Sequence, residues 1–275
     1  MAKASSIHNT LKISFIYIHY LIGNIVDIVQ KIKEKKELSG LPDDLVKSTL
    51  NEYLSKNKIS NINLDKNKKL IIKEVRSRLR RYTGQYASSK NIKNREKLLK
   101  DNNFSEILKQ HASTRERIED YQLVRSFINK INPKSILDLG CGLNPIAIAS
   151  PDIKFHAYDI NDNDLEIVKQ FFTINKISGD IHHKDITKVT NYPKVDLCII
   201  FKVLDILENR TKVSKHLLEN IDSKFFLISF ATKTLTGKPM SSPYRRWFEK
   251  ILNNLKYSYE VKRTSQELFY IIRKA

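Results

Sequence analysis

The residues best placed to do chemistry are a glycine pair, Gly140 and Gly142, and the acid Asp159 that follows them about 20 residues later. The pair lies in Ser135-Ile136-Leu137-Asp138-Leu139-Gly140-Cys141-Gly142-Leu143-Asn144-Pro145, and the acid closes Lys154-Phe155-His156-Ala157-Tyr158-Asp159. An apolar run that ends in a carboxylate and opens into glycine reads as a buried strand turning sharply toward a helix. Without a Cβ, the backbone there can pass close to a ligand. In nucleotide-binding α/β folds an acid at this separation holds ribose hydroxyls. The turn is Gly-x-Gly-x-x-Pro, with no third glycine and none of the basic residues of a phosphate-binding loop. That pattern favours an adenosyl group without phosphates, and S-adenosylmethionine is the candidate ligand.

The elements that must position these residues follow from apolar patterning. Strands are expected at about 135–139, 154–159, 179–184, 195–202, 224–230, 256–261 and 267–273, with helices at about 163–175, 206–221 and 243–255. Continuous apolar runs such as Leu197-Cys198-Ile199-Ile200-Phe201 indicate strands buried on both faces. Five strands joined by helices and then two consecutive strands predict an α/β fold. The sheet is Rossmann-like, seven-stranded and mostly parallel, as in class I S-adenosylmethionine-dependent methyltransferases. Residues before Asn132-Pro133-Lys134 read as helical. The expected domains are an N-terminal extension at 1–24, an all-helical domain at 25–132 and the methyltransferase domain at 133–275.

The 275 residues carry 49 basic and 30 acidic side chains, a formal charge of +19, which favours a polyanionic partner. Residues 66–110 hold 14 basic and 4 acidic residues, so more than half of the excess sits in one stretch. A helix at about 67–82 has an apolar stripe of Ile71, Val75, Leu79 and Tyr82. Lys69, Lys73, Arg76 and Arg80 recur on another face, followed by Arg81. Guanidinium pairs phosphate bidentately, so these five residues are the expected RNA contacts.

Two cysteines, Cys141 and Cys198, are too few and too separated for a disulfide framework. The one adjacent histidine pair, His182-His183, would point to opposite faces of a strand, and no metal is expected. Ile13–Val29 is apolar but contains His19, Asn24 and Asp27, so an amphipathic helix or arm is expected there rather than a membrane span. Cytoplasmic residence follows by default. Ser113 and Glu116 have capping-box spacing and are expected to begin a helix carrying Ile118, Tyr121, Val124 and Ile128 on one face.

Several segments together resemble the aminoglycoside-resistance 16S ribosomal RNA methyltransferases of the ArmA/RmtB type. They are His111-Ala112-Ser113-Thr114-Arg115-Glu116-Arg117, Leu137 to Pro145, Ile200-Phe201-Lys202-Val203-Leu204, Ser229-Phe230-Ala231-Thr232-Lys233-Thr234-Leu235, Trp247-Phe248-Glu249 and Glu267-Leu268-Phe269-Tyr270-Ile271-Ile272. The resemblance runs from about residue 25 to the end. It implies methyl transfer from S-adenosylmethionine to N7 of a guanosine, nucleotide 1405, in 16S rRNA of the assembled 30S subunit, with aminoglycoside resistance as the outcome. It further implies that Tyr86, His111, Ala112, Ser113 and Arg117 line the methionine end of the cofactor. Gly140 and Gly142 would approach its backbone, Asp159 and Ile160 the ribose, and Asp185 and Ile186 the adenine. Lys202 and Val203 would close the site, and Lys202 and Glu208 would position the target base. The first 20 or so residues have no counterpart in the family, the loop after Leu235 is shorter, and a family glutamine near residue 211 is absent. A monomer is expected. Two other readings are a non-catalytic ribosome-binding protein on the same fold, and a methyltransferase for another RNA base or a small molecule.

Overall fold

The computed structural model describes residues 25–59, 64–83, 92–207, 209–234 and 237–274. The chain forms two compact units, one ending at Gly84 and the other beginning at Gln85. The expected boundary at 132/133 differs from this division. Residues 92–131, assigned from sequence to the helical domain, fold in the same unit as the sheet. Their apolar residues explain why: Leu99, Ile107, Tyr121, Val124 and Ile128 share one core with the sheet residues Ile136, Phe155, Ala157, Leu197 and Phe269.

The first unit is helical among its described residues: α1 (residues 25–33), a 3-10 turn at Lys36–Leu38, α2 (Asp43–Lys56) and α3 (Leu64–Thr83). The α3 stripe Ile71, Val75 and Leu79 is completely buried, as its helical spacing predicts. The facing positions Leu45, Val46 and Leu50 of α2 are buried with it.

The second unit begins with α4 (Ile92–Lys100), α5 (Phe104–Lys109), α6 (Ala112–Glu116) and α7 (Tyr121–Ile131). Then come β1 (Ser135–Leu139), α8 (Pro145–Ile148), β2 (Lys154–Asp159), α9 (Asp162–Ile174), β3 (Gly179–His183) and β4 (Val195–Phe201). The chain ends with α10 (Arg210–Asn220), β5 (Ser223–Ala231), α11 (Arg246–Asn254), β6 (Ser258–Arg263) and β7 (Glu267–Arg273). The sheet order is β3-β2-β1-β4-β5-β7-β6, parallel from β3 through β5, with β7 antiparallel to both neighbours. This is the expected seven-stranded layout. Leu197, Ile199 and Phe201 face one helical layer while Cys198 and Ile200 face the other, so the apolar runs are buried on both sides.

One local expectation fails. The Ser113–Glu116 capping box is not formed: α6 starts after His111 and stops at Glu116, and α7 starts anew at Tyr121. The Ser113 hydroxyl accepts from Arg117 Nη2 at 3.2 Å, and Glu116 pairs with Lys202, so one local and one tertiary partner have taken the two cap groups. At the other end of α7, Asn132 adopts a left-handed conformation (φ 44°) and Pro133 follows, as its sequence predicts. Among the described residues no helix is long and apolar enough to cross a membrane, and most of Ile13–Val29 lies outside those residues.

Candidate active site

The chain leaves β1 toward β2 and β3 on one side, and β4 returns on the other, so the β1/β4 boundary is the switch point where open α/β sheets bind ligands. Gly140 (φ 69°) and Gly142 (φ 50°) occupy it in left-handed conformations. The turn is fastened to the end of β2: Gly140 N and Cys141 N donate to Tyr158 O at 2.8 and 3.0 Å, and Gly142 N donates to Asp159 Oδ2 at 2.8 Å. A Cβ on Gly140 would collide with Val203 Cγ2, and one on Gly142 would lie 3.0 Å from the His111 ring. The close approach that these glycines permit is therefore made by Val203 and His111, two of the residues expected around the cofactor. Gly140→Ala is expected to cost about 1–2 kcal/mol through its left-handed backbone alone, and more through the clash with Val203, read as a lowered urea midpoint.

Arg117 lies between α6 and α7 and is fully buried, its Nη2 2.9 Å from Glu267 Oε1. Ser229 Oγ donates to the other Glu267 oxygen at 2.5 Å. The Arg117 guanidinium also stacks 4.4 Å from the Phe201 ring centroid. Burial opposes its charge, but the Glu267 carboxylate and Tyr121 together outweigh that and raise its pKa. Its Nε is buried without a hydrogen-bond acceptor. Nearby, Asp138 at the end of β1 accepts from Asn144 Nδ2 at 2.7 Å through Oδ2, while Oδ1 is buried with no donor. Burial pushes Asp138 up to about 7, with Arg117 acting the other way. One orphaned cationic donor and one orphaned acidic acceptor within electrostatic reach suit the carboxylate and ammonium of an amino acid. The methionine end of S-adenosylmethionine therefore fits the residues present. Asp138 was visible in the sequence as the acid that ends β1, but its unsatisfied oxygen was not.

The remaining expected contacts lie at or just after the ends of β2, β3 and β4 and at the start of α6. Asp159 is buried at the end of β2, accepts from Gly142 N and Asn161 N, and is pushed up to about 6 by burial. Ile160 follows, its carbonyl 3.0 Å from His183 Nε2. Asp185 holds the Thr187 N–H and hydroxyl at 2.9 and 2.7 Å, and Ile186 is buried with its carbonyl on the Tyr192 hydroxyl. Lys202 follows β4 with a left-handed φ of 59°, and its buried ammonium pairs with Glu116. His111 and Ala112 are buried and Ser113 partly so; burial drives the His111 pKa down to about 4, leaving a neutral ring. Tyr86 and Glu208 lie outside the described residues.

The basic face of α3 is only partly available. Arg76 donates to the carbonyls of Lys31 and Ile32 at the end of α1, and Arg80 donates to Glu37 at 3.0 and 3.2 Å. These arginines, expected on phosphates, tie the helices of their own unit together. Lys69 and Lys73 are exposed, and the side chain of Arg81 is outside the described residues.

The geometry matches known proteins. A 16S rRNA (guanine(1405)-N(7))-methyltransferase of Serratia marcescens is 28% identical over 91% of this chain and 99% of its own length. A protein of the same description from Frankia casuarinae is 27% identical over 62% of this chain and 63% of its own. Among solved structures, the 16S rRNA methylase RmtB superposes with a TM-score of 0.74 at 26% identity over 91% of this chain and 98% of that one. The 16S rRNA methyltransferase RmtF, in complex with S-adenosyl-L-homocysteine, shares the fold with a TM-score of 0.78 at 22% identity over 92% and 98%. Residues 98–271 match the ribosomal RNA methyltransferase (FmrO) family, and the chain belongs to that family.

Proposed function

We propose that this enzyme methylates N7 of the guanosine equivalent to 1405 in 16S rRNA of the 30S subunit, using S-adenosylmethionine, and thereby confers aminoglycoside resistance in the cytoplasm. The observation that carries the reading is the pairing of orphaned Arg117 Nε and Asp138 Oδ1 at the switch point, in a chain whose relatives bear that activity. When bound, S-adenosylmethionine supplies an electrophilic methyl group. Arg117 would hold its carboxylate, Asp138 its ammonium and Asp159 its ribose hydroxyls.

Guanine N7 carries an in-plane lone pair at neutral pH, so no side chain has to remove a proton from it. A histidine base would be superfluous. Rate enhancement then rests on alignment and exclusion of water, which together are worth roughly 7–11 kcal/mol in well-oriented systems. In duplex RNA the N7 edge lies in a groove too narrow for side chains, so the base must be extruded to react. Lys202 and Glu208 remain the residues proposed to meet it.

The direct test incubates purified 30S particles with enzyme and S-adenosylmethionine, then cleaves the RNA chemically at N7-methylguanosine. One new break at the decoding site is expected; a break elsewhere, or none, refutes the proposal. A second prediction concerns the exposed lysines. Lys69→Glu with Lys73→Glu is expected to weaken 30S binding and to lower the slope of log affinity against log salt by about 1–2, at the value of 0.7–0.9 per phosphate contact. Calorimetric affinity for S-adenosylmethionine should be unchanged, and an equal loss there would refute the RNA role.

A further inference from the structure

We infer that His156, Asp180 and His182 form a binding site for a divalent transition-metal ion of the zinc class on the exposed edge of the sheet. The sequence pair His182-His183 does separate to opposite faces: His183 turns to Ile160 O, while His182 stacks on Tyr158 with centroids 4.1 Å apart and planes at 20°. Parallel pairing of β2 with β3 sets His156 directly beside Asp180, and His182, two residues on, shares their face. The cluster thus arises from strand register.

One donor atom from each residue lies within 4.8 Å of the other two. His156 Nδ1 is 3.0 Å from Asp180 Oδ2, so these two groups already face each other. Tetrahedral zinc, with bonds of about 2.0–2.1 Å, needs donors about 3.3 Å apart. Asp180 is half exposed and can rotate to close that difference. Two imidazoles with one carboxylate suit Zn2+, Co2+ or Ni2+ rather than Mg2+ or Ca2+. The Tyr158 stack fixes the plane of His182, as an outer-shell partner would. Asp180 is exposed and His182 half-buried, which leaves a side open to solvent for the ion and a water in the fourth position.

Among the described strands β3 is an edge, hydrogen-bonded only to β2, and a bound ion would pin it. The test uses the untagged full chain, stripped with EDTA and titrated with Co2+. One equivalent is expected to develop visible d–d bands that Zn2+ abolishes, and Zn2+ should raise the thermal unfolding midpoint. His182→Ala should remove both signals and Asp180→Asn should weaken Co2+ binding at least tenfold, with far-ultraviolet dichroism unchanged. His216→Ala, on α10, should bind as the native chain does. Absence of stoichiometric binding, or binding that survives His182→Ala and Asp180→Asn, overturns the inference.

Discussion

Replacing Glu267 with alanine should destabilise the second unit by about 3–5 kcal/mol, the cost of leaving a buried charge without its partner. Arg117 has nowhere to go: it is completely buried, its guanidinium is held against Phe201, and Glu267 is its counter-ion. In a unit of this size the loss corresponds to roughly 6–20 °C in unfolding midpoint. Glu267→Gln should cost less, because an amide oxygen can still face the guanidinium and the Ser229 contact can be kept.

The informative variant is the double one, Arg117→Met with Glu267→Leu. Apolar replacement of a whole buried pair is often neutral for stability, so this protein should unfold near the native midpoint while losing S-adenosylmethionine affinity by at least tenfold. Urea unfolding and calorimetry on the same samples separate the two effects. If the double variant binds normally, Arg117 is only a structural tie between α6 and β7 and not a carboxylate holder.

The sheet was legible because apolar runs of the right length, interrupted at Asp138 and Asp159, have few alternatives to buried parallel strands. The glycine turn was legible because Gly140 and Gly142 need φ values that other residues avoid. What failed was any inference about partners far apart in sequence. Spacing alone suggested that Ser113 and Glu116 cap a helix, yet Lys202, far along the chain, claims Glu116. The sequence put Arg76 and Arg80 on a basic face apart from the apolar stripe, but it did not show that the open carbonyls at the end of α1 and the Glu37 carboxylate lie within their reach. Likewise, His156 and Asp180 become neighbours only when β2 and β3 pair in register, which composition and periodicity do not encode.

The same limit hid the role proposed for Asp138, whose consequence is a pH dependence. In the folded chain its pKa stands near 7, against an ordinary 3.8, because burial disfavours the charge. The folded state therefore binds a proton more tightly than the unfolded state. The stability this contributes is complete below about pH 4 and is lost as pH rises through 7. An ammonium bound at Oδ1 favours the carboxylate and reverses that loss. S-adenosylmethionine affinity should accordingly rise about tenfold per pH unit below 7 and level off above it. It should then fall once the ligand's own amino group, near pKa 8, gives up its proton. Asp159, near 6, adds a second and lower inflection as its carboxylate forms beside the ribose. Asp138→Asn should weaken binding at least tenfold at pH 7.5 and erase the inflection near 7 while keeping the one near 6. Calorimetry from pH 5.5 to 8.5 resolves the two. A native profile that persists unchanged in Asp138→Asn would remove Asp138 from the site and leave the ammonium without an assigned partner.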